Sequence, residues 1–238
     1  MLKLGVNLDH VATIRQQRYT PYPDMLTAIK ISEESGADSI TMHLREDRRH
    51  IQFEDIKIAR KHIKTKLNLE MAPTDEMCKI ANEIKPDFIC IVPEKRQELT
   101  TEGGLSVKQN FRHLRDIVEN LKDSNAIISL FIEPDLKVID LAKDLNVGAI
   151  ELHTGKYAES RSADKNIYLK ELSLASDHAN NLSLIVNAGH GLDYTNVTDI
   201  AKINHISELN IGHSIIAESI FLGLSDAIKK MKNLIESV

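Results

Sequence analysis

Short apolar runs alternate with longer amphipathic stretches from one end of the chain to the other. Eight runs have the length and residue types of strands: 3–8, 39–44, 66–71, 88–92, 127–132, 149–153, 184–188 and 208–211. Helical periodicity fills the gaps at 24–35, 53–61, 75–84, 108–121, 136–145, 165–181 and 194–202, and a last helical region covers 215–235. Strict alternation of strand and helix demands a parallel sheet. Eight such units in 238 residues favour a closed (β/α)8 TIM barrel, with an open doubly wound sheet as the alternative. No linker or low-complexity segment divides the chain, so one domain over 1–238 is expected.

The punctuation agrees with these boundaries. Ser35-Gly36-Ala37 and Lys85-Pro86-Asp87 each separate a helix from the next strand. Thr74 reads as a helix N-cap. Two short elements are additional to the eight units. Residues 9–18 have helical character inside the first βα loop. After the last strand, Gly212-His213-Ser214 opens a short apolar helix to about Leu222, and Gly223 and Ser225 then read as the break and the next cap. A short helix after strand eight is the usual barrel phosphate site, because its first N–H groups are unpaired and carry partial positive charge.

Composition narrows the function. Hydrophobic residues make up 42%, aromatic residues only 4%, and there is no Trp, so the core is expected to be aliphatic. Lys plus Arg is 30 against 35 Asp plus Glu, a net charge of −5 with no global basic field for nucleic acid. Cys78 and Cys90 have no metal-type spacing and read as small buried hydrophobes in a reducing cytoplasm. Residues 1–7 lack the apolar stretch of a secretory signal. No run approaches the roughly 18 apolar residues that span a bilayer.

Barrel active sites sit at the C-terminal ends of the strands. There the sequence places Asn7-Leu8-Asp9-His10, His43-Leu44-Arg45, Asn68-Leu69-Glu70, Pro93-Glu94-Lys95-Arg96, Glu151-Leu152-His153, Asn187-Ala188-Gly189-His190-Gly191 and Asn210-Ile211-Gly212-His213. Five of the ten histidines fall within about two residues of a strand end. His43 and Arg45 alternate onto one side of the second strand, and a buried arginine there needs an anionic partner. Glu70 ends an apolar strand, where a carboxyl group is either salt-bridged or a general base with a raised pKa. Glu46, Asp47, Arg48 and Arg49 read as a solvated, self-pairing helix face. His10 is either a cap of the small helix or a site residue. Glu151 and His153 receive no role, and neither do His62, His113, His178 and His205. No H-E-x-x-H or similar ligand motif appears, so no metal is expected. Acid–base chemistry on small phosphorylated substrates fits this rim. A phosphosugar isomerase or epimerase, and a non-catalytic phosphate-ligand binder, share most of its features.

The strand-end segments together resemble the pyridoxine 5'-phosphate synthase family, which closes the pyridine ring of vitamin B6. The resemblance rests on LGVNLDHVATIRQQR at 4–18, HLREDRRH at 43–50, NLEMA at 68–72, VPEKRQELTTEGGL at 92–105, SLFIEP at 129–134, ELHTG at 151–155, NAGHGL at 187–192 and ELNIGHSII at 208–216. It implies a cofactor-free condensation of 1-deoxy-D-xylulose 5-phosphate with 3-amino-2-oxopropyl phosphate in a cytoplasmic homo-octamer. By the family pattern His43, Glu70 and His190 are the catalytic acid–base residues. Asn7, Asp9, His10, Arg45, His50 and Thr100 match the positions that hold the deoxyxylulose phosphate or the phosphate it loses. Arg18, Gly191, Gly212 and His213 match those that hold the amino-ketone phosphate. The glycine-rich loop from Lys95 to Gly104 is expected to act as a lid.

Overall fold

Apolar and polar positions alternate within the strands, and the two sets go to opposite faces of one closed sheet. The computed structural model describes residues 1–100, 103–160 and 164–238. Thr101 and Glu102 of the 92–105 segment, and residues 161–163 of the sixth loop, lie outside the described residues. The strands are β1 (Lys3–Asn7), β2 (Ser39–His43), β3 (Lys66–Met71), β4 (Phe88–Ile91), β5 (Ile127–Ile132), β6 (Ala149–His153), β7 (Ile185–Gly189) and β8 (Ile206–Ile211). Each pairs in parallel with the next, and β1 pairs with β8 to close the barrel. The alternative of an open sheet is thereby excluded.

Leu4 and Val6, Ile40 and Met42, Leu67 and Leu69, Ile150 and Leu152, and Leu209 and Ile211 are at most 2% exposed. They belong to the aliphatic core that joins sheet to helices. The intervening residues are also buried but polar, and they bond to one another across the barrel. Ser39 Oγ donates to Glu208 (2.8 Å), Asn68 Nδ2 to Thr41 Oγ1 (3.2 Å), Thr41 Oγ1 to Asn210 Oδ1 (3.2 Å) and Asn210 Nδ2 to Glu151 (2.5 Å). Barrel interiors are usually filled by branched aliphatic side chains. Here the lumen is a hydrogen-bonded polar column that leads up toward the C-terminal ends of the strands. Burial raises the pKa of both of its carboxyl groups, Glu151 and Glu208.

The helices are α1 (Asp9–Gln16), α2 (Met25–Glu34), α3 (Phe53–His62), α4 (Asp75–Ile84), α5 (Val107–Asn120), α6 (Leu136–Asp144), α7 (Gly155–Glu159), α8 (Lys165–Asn181), α9 (Val197–Ala201), α10 (His213–Leu222) and α11 (Leu224–Glu236). Thr74 caps α4 as expected, its hydroxyl accepting the Met77 N–H at 3.4 Å. The extra helix α1 is tied down by a bidentate ion pair from Arg15 to Asp55 of α3 (2.7 and 2.6 Å). That pair fixes the angle at which the first loop presents Asp9 and His10.

Several local expectations are corrected. β1, β2 and β4 stop one residue early, β7 is shifted by one, and β8 begins at Ile206. Residues 46–49 form no helix: they make a turn in which Asp47 pairs with both Arg45 and Arg49. α9 is shorter than the periodicity suggests, because the Asp193 carboxylate takes the N–H groups of Thr195 and Asn196 in a turn. Ser225 is not a cap. Gly223 holds that position at φ +78°, and Ser225 lies within α11, where it accepts a hydrogen bond from Ser35. Among the described residues, no helix is long and apolar enough to cross a membrane.

Candidate active site

The parallel register sets His43 directly beside Glu70 at the ends of β2 and β3. His43 Nδ1 stands 4.0 Å from Glu70 Oε2. Asn7, at the end of β1, donates from Nδ2 to Asp9 (3.0 Å) and to Glu70 (3.4 Å), and its Oδ1 accepts the Asp9 N–H (2.9 Å). Asp9 in turn accepts the backbone N–H of His43 (2.8 Å). The far nitrogen of His43, Nε2, lies 2.8 Å from Glu94. Among the described residues Glu70 pairs with no arginine, and the ionisable partner beside it is His43. Burial, reinforced by the nearby Glu151 and Asp9 carboxylates, holds the Glu70 carboxyl well above the ordinary range. Burial also raises Asp9, against the opposing pull of His43, Asn7 and Arg45.

Asp9, His43 and Glu70 form the one cluster among the described residues whose ligand atoms lie close enough, within 4.8 Å, to embrace a metal ion. Its oxygens have other employment. Asp9 is engaged by His43 and Asn7, and a Glu70 that prefers its proton is a poor ligand.

The opposite side of the mouth is built differently. His190 follows β7 with φ +85°, a left-handed conformation that is costly for a side chain of this size. The Thr154 hydroxyl, shared between the carbonyls of Gly189 (2.7 Å) and His190 (2.5 Å), pins this turn. The His190 ring lies 4.9 Å from that of His153, which is itself held through Nδ1 by Glu133 Oε1 (2.8 Å) and packed edge-on against Phe131. Burial and the neighbouring His153 push His190 down, toward the neutral imidazole. Gly191 follows at φ +74°, with Ala158 so near that a Cβ would sit 2.7 Å from it. Gly212 is the N-cap of α10, and His213 is the first residue of that helix. The rings of His213 and His10 meet edge-on at 4.9 Å. Burial and His213 lower the pKa of His10. His10 lies inside α1 at its second position rather than ahead of it.

A cavity of about 760 Å³ opens between the two sides. Its wall includes Asn7, Asp9, His10, His43, Glu70, His190, Gly191, Gly212 and His213, nine of the thirteen residues singled out in the sequence. Four stand off it. Arg18 lies in an exposed turn beyond α1. Arg45 is engaged by Asp47 (3.3 Å) and Glu94 (3.7 Å). His50 is buried behind His43, with Nδ1 accepting the Ile51 N–H (2.8 Å), and burial followed by the charges of His43 and Arg45 pushes it down to about 4. Thr100 braces its own loop, its hydroxyl accepting the Gly103 N–H (3.1 Å).

Sequence reasoning gave no role to Phe131 and Glu151, which line the cavity, or to Glu94, Glu133 and His153 just behind its wall. Glu94, Glu151 and His153 were visible as strand-end residues. Glu133 follows β5 by one residue, the same signal.

The chain matches the family described as "Pyridoxal phosphate biosynthesis protein PdxJ" over residues 4–237. It is 52% identical over 237 residues to the pyridoxine 5'-phosphate synthase of Prochlorococcus marinus (strain MIT 9312), covering 100% of each chain. It is 50% identical over 232 residues to that of Thioalkalivibrio sulfidiphilus (strain HL-EbGR7), covering 97% of this chain and 94% of the relative. Among solved structures, KGPDC from Streptococcus mutans superposes with a TM-score of 0.68 at 12% identity, over 100% and 99% of the two chains. The tryptophan synthase A-subunit of Pyrococcus furiosus gives 0.64 at 13% identity, over 100% and 98%. These two share the fold alone. Match over nearly the full length, close relatives and a barrel mouth carrying the expected side chains agree: the chain belongs to the PdxJ family of pyridoxal phosphate biosynthesis proteins.

Proposed function

We propose that this chain acts as a pyridoxine 5'-phosphate synthase, joining 1-deoxy-D-xylulose 5-phosphate to 3-amino-2-oxopropyl phosphate to release pyridoxine 5'-phosphate, phosphate and water. The observation that carries the mechanism is the contact of His43 with Glu70 across one register pair, facing His190 over a shared cavity. Imine formation, dehydration and ring closure move protons on and off carbon and oxygen. A carboxyl held well above its ordinary range can take and return a proton near neutral pH. His43 is the partner that relays it, and His190, on the far wall, serves a separate proton transfer. The amino-ketone brings its own amine, so no enzyme lysine is needed for the imine. In this reading no metal or organic cofactor takes part.

Arg45, His50 and Thr100, with Asn7, Asp9 and His10, serve the deoxyxylulose phosphate and the phosphate it loses. Gly191, Gly212 and His213, with Arg18, serve the phosphate that remains on the product. Support for the second site comes from the start of α10, where Gly212, His213 and Ser214 line the cavity and a helix N-terminus leaves its first N–H groups unpaired within the helix. Two buried free cysteines suit a cytoplasmic setting. Assembly as a homo-octamer is part of the same reading. What supports a covered face is Ile220-Phe221-Leu222 at the end of α10, exposed at 70, 84 and 44%.

The test is an assay of purified protein with both substrates and a chelator, following pyridine-ring absorbance and phosphate release. One phosphate per ring is expected, with no turnover when either substrate is omitted. Turnover of a single phosphosugar would favour an isomerase or epimerase instead.

A further inference from the structure

We propose that Glu94 is a positioning residue that holds His43 in its Nε2–H tautomer, so that Nδ1 is the nitrogen presented to Glu70 and the cavity. The proposal rests on His43 being an acid–base residue, and it concerns a side chain that does not touch the cavity wall.

A neutral imidazole has one donor and one acceptor nitrogen, and its hydrogen bonds decide which is which. An ionised carboxylate only accepts. Glu94 Oε1 lies 2.8 Å from His43 Nε2, so Nε2 must carry the hydrogen. Nδ1 is then left with its lone pair, 4.0 Å from Glu70 Oε2. Glu70 favours its protonated form, and an unprotonated Nδ1 is the receiver such a proton needs.

The carboxylate is well placed to enforce this. Its side chain is 3% exposed. Oε2 accepts the Glu46 N–H at 3.0 Å and lies 3.7 Å from the Arg45 guanidinium. Its backbone is fixed as well: the N–H groups of Glu94 and Lys95 both donate to one oxygen of the buried Glu98 carboxylate, at 2.9 and 3.1 Å. The Glu98 carbonyl in turn accepts the Ser106 N–H at 2.7 Å. Neither the carboxylate nor its backbone is free to swing. Burial alone would push the Glu94 carboxyl up, but the His43 ring, the Glu46 N–H and Arg45 bring it below its ordinary range, so it stays ionised. On the other side, Asp9 holds the His43 backbone N–H. His43 is thus held at its backbone and at the Nε2 edge of its ring.

Glu94→Gln separates charge from shape. The amide has a single acceptor oxygen for two donors, Glu46 N–H and His43 Nε2–H. Its NH2 group can instead donate to Nε2 and favour the opposite tautomer. Two-bond nitrogen–proton NMR spectra of ¹⁵N-histidine-labelled protein read the tautomer directly, with His43 assigned as the resonance missing from His43→Asn. The expected result is a pyrrole-type Nε2 and pyridine-type Nδ1 in the wild type, and a shift toward Nδ1–H in Glu94→Gln. kcat should fall on the order of 10²-fold, far more than either KM changes. If Glu94→Gln does not fold, the wild-type spectrum alone decides, because an Nδ1–H tautomer there overturns the proposal. Wild-type turnover in folded Glu94→Gln alongside an inactive His43→Asn also overturns it. Wild-type turnover in both variants removes His43 from the mechanism, and the role of Glu94 with it.

Discussion

The two walls of the cavity are built from different materials. The wall from β1 to β3 is made of side chains: Asn7, Asp9, His43 and Glu70, with Glu94 behind them, form a continuous hydrogen-bonded set with three carboxyl groups. The wall from β6 to β8 is made largely of backbone: a left-handed turn at His190 and Gly191, and the first turn of α10 at Gly212 and His213. On the first wall burial raises the carboxyl groups of Glu70 and Asp9. On the second, burial lowers His190. In the proposed reading protons are exchanged on the wall where acids are crowded, and an anion is received at the helix N-terminus of the other. A condensation that must both shuffle protons and retain a phosphate needs the two walls to stay distinct.

The largest effect should follow from removing the exchangeable proton of the first wall. Glu70→Gln keeps the shape and the contact with Asn7 but cannot ionise. Its kcat is expected to fall by about 10²–10⁴, while each substrate still binds near its wild-type affinity in a direct titration. A variant that turns over normally would place the proton chemistry elsewhere.

A smaller effect is expected behind the first wall, at His50. Its folded pKa of about 4 lies below the ordinary 6.5, because the ring is buried and stands near the charges of His43 and Arg45. Between these values the unfolded chain binds a proton that the folded chain refuses. The stability due to His50 is therefore full above the unfolded pKa and is lost as pH falls through this window. His50→Gln should lose less melting temperature than the wild type between about pH 7 and pH 4.5. Identical losses would mean that His50 is not held neutral.

Much of this was legible in the sequence, and for a physical reason. A closed parallel barrel places strand ends together by topology alone, so reading the residues after each apolar run was enough to assemble nine cavity residues. What escaped depends on how loops fold back. Nothing in the sequence says that Glu94 reaches across to a histidine two strands away, or that Glu133 holds His153. Arg45 was expected to await an anion, and two carboxylates already occupy it, because residues 46–49 turn instead of continuing as a helix. Gly212 was matched to the amino-ketone phosphate, and the sequence does not show what else crowds it. A Cβ there would first meet Asn7, at 2.8 Å, so even alanine at this position would disturb the opposite wall.

The division between the walls is tested most directly by titrating each substrate alone, by calorimetry, against the wild type, Arg45→Ala and His213→Ala. These variants replace side chains and leave Gly212 and Asn7 in place. Loss of a charged hydrogen bond is worth about 1.5–3 kcal/mol, roughly 10-fold or more in affinity. Arg45→Ala should weaken 1-deoxy-D-xylulose 5-phosphate by that factor and leave 3-amino-2-oxopropyl phosphate within about twofold. His213→Ala should show the reverse preference. Equal weakening of both ligands by both variants would contradict two separate walls and make a single shared phosphate site the better description.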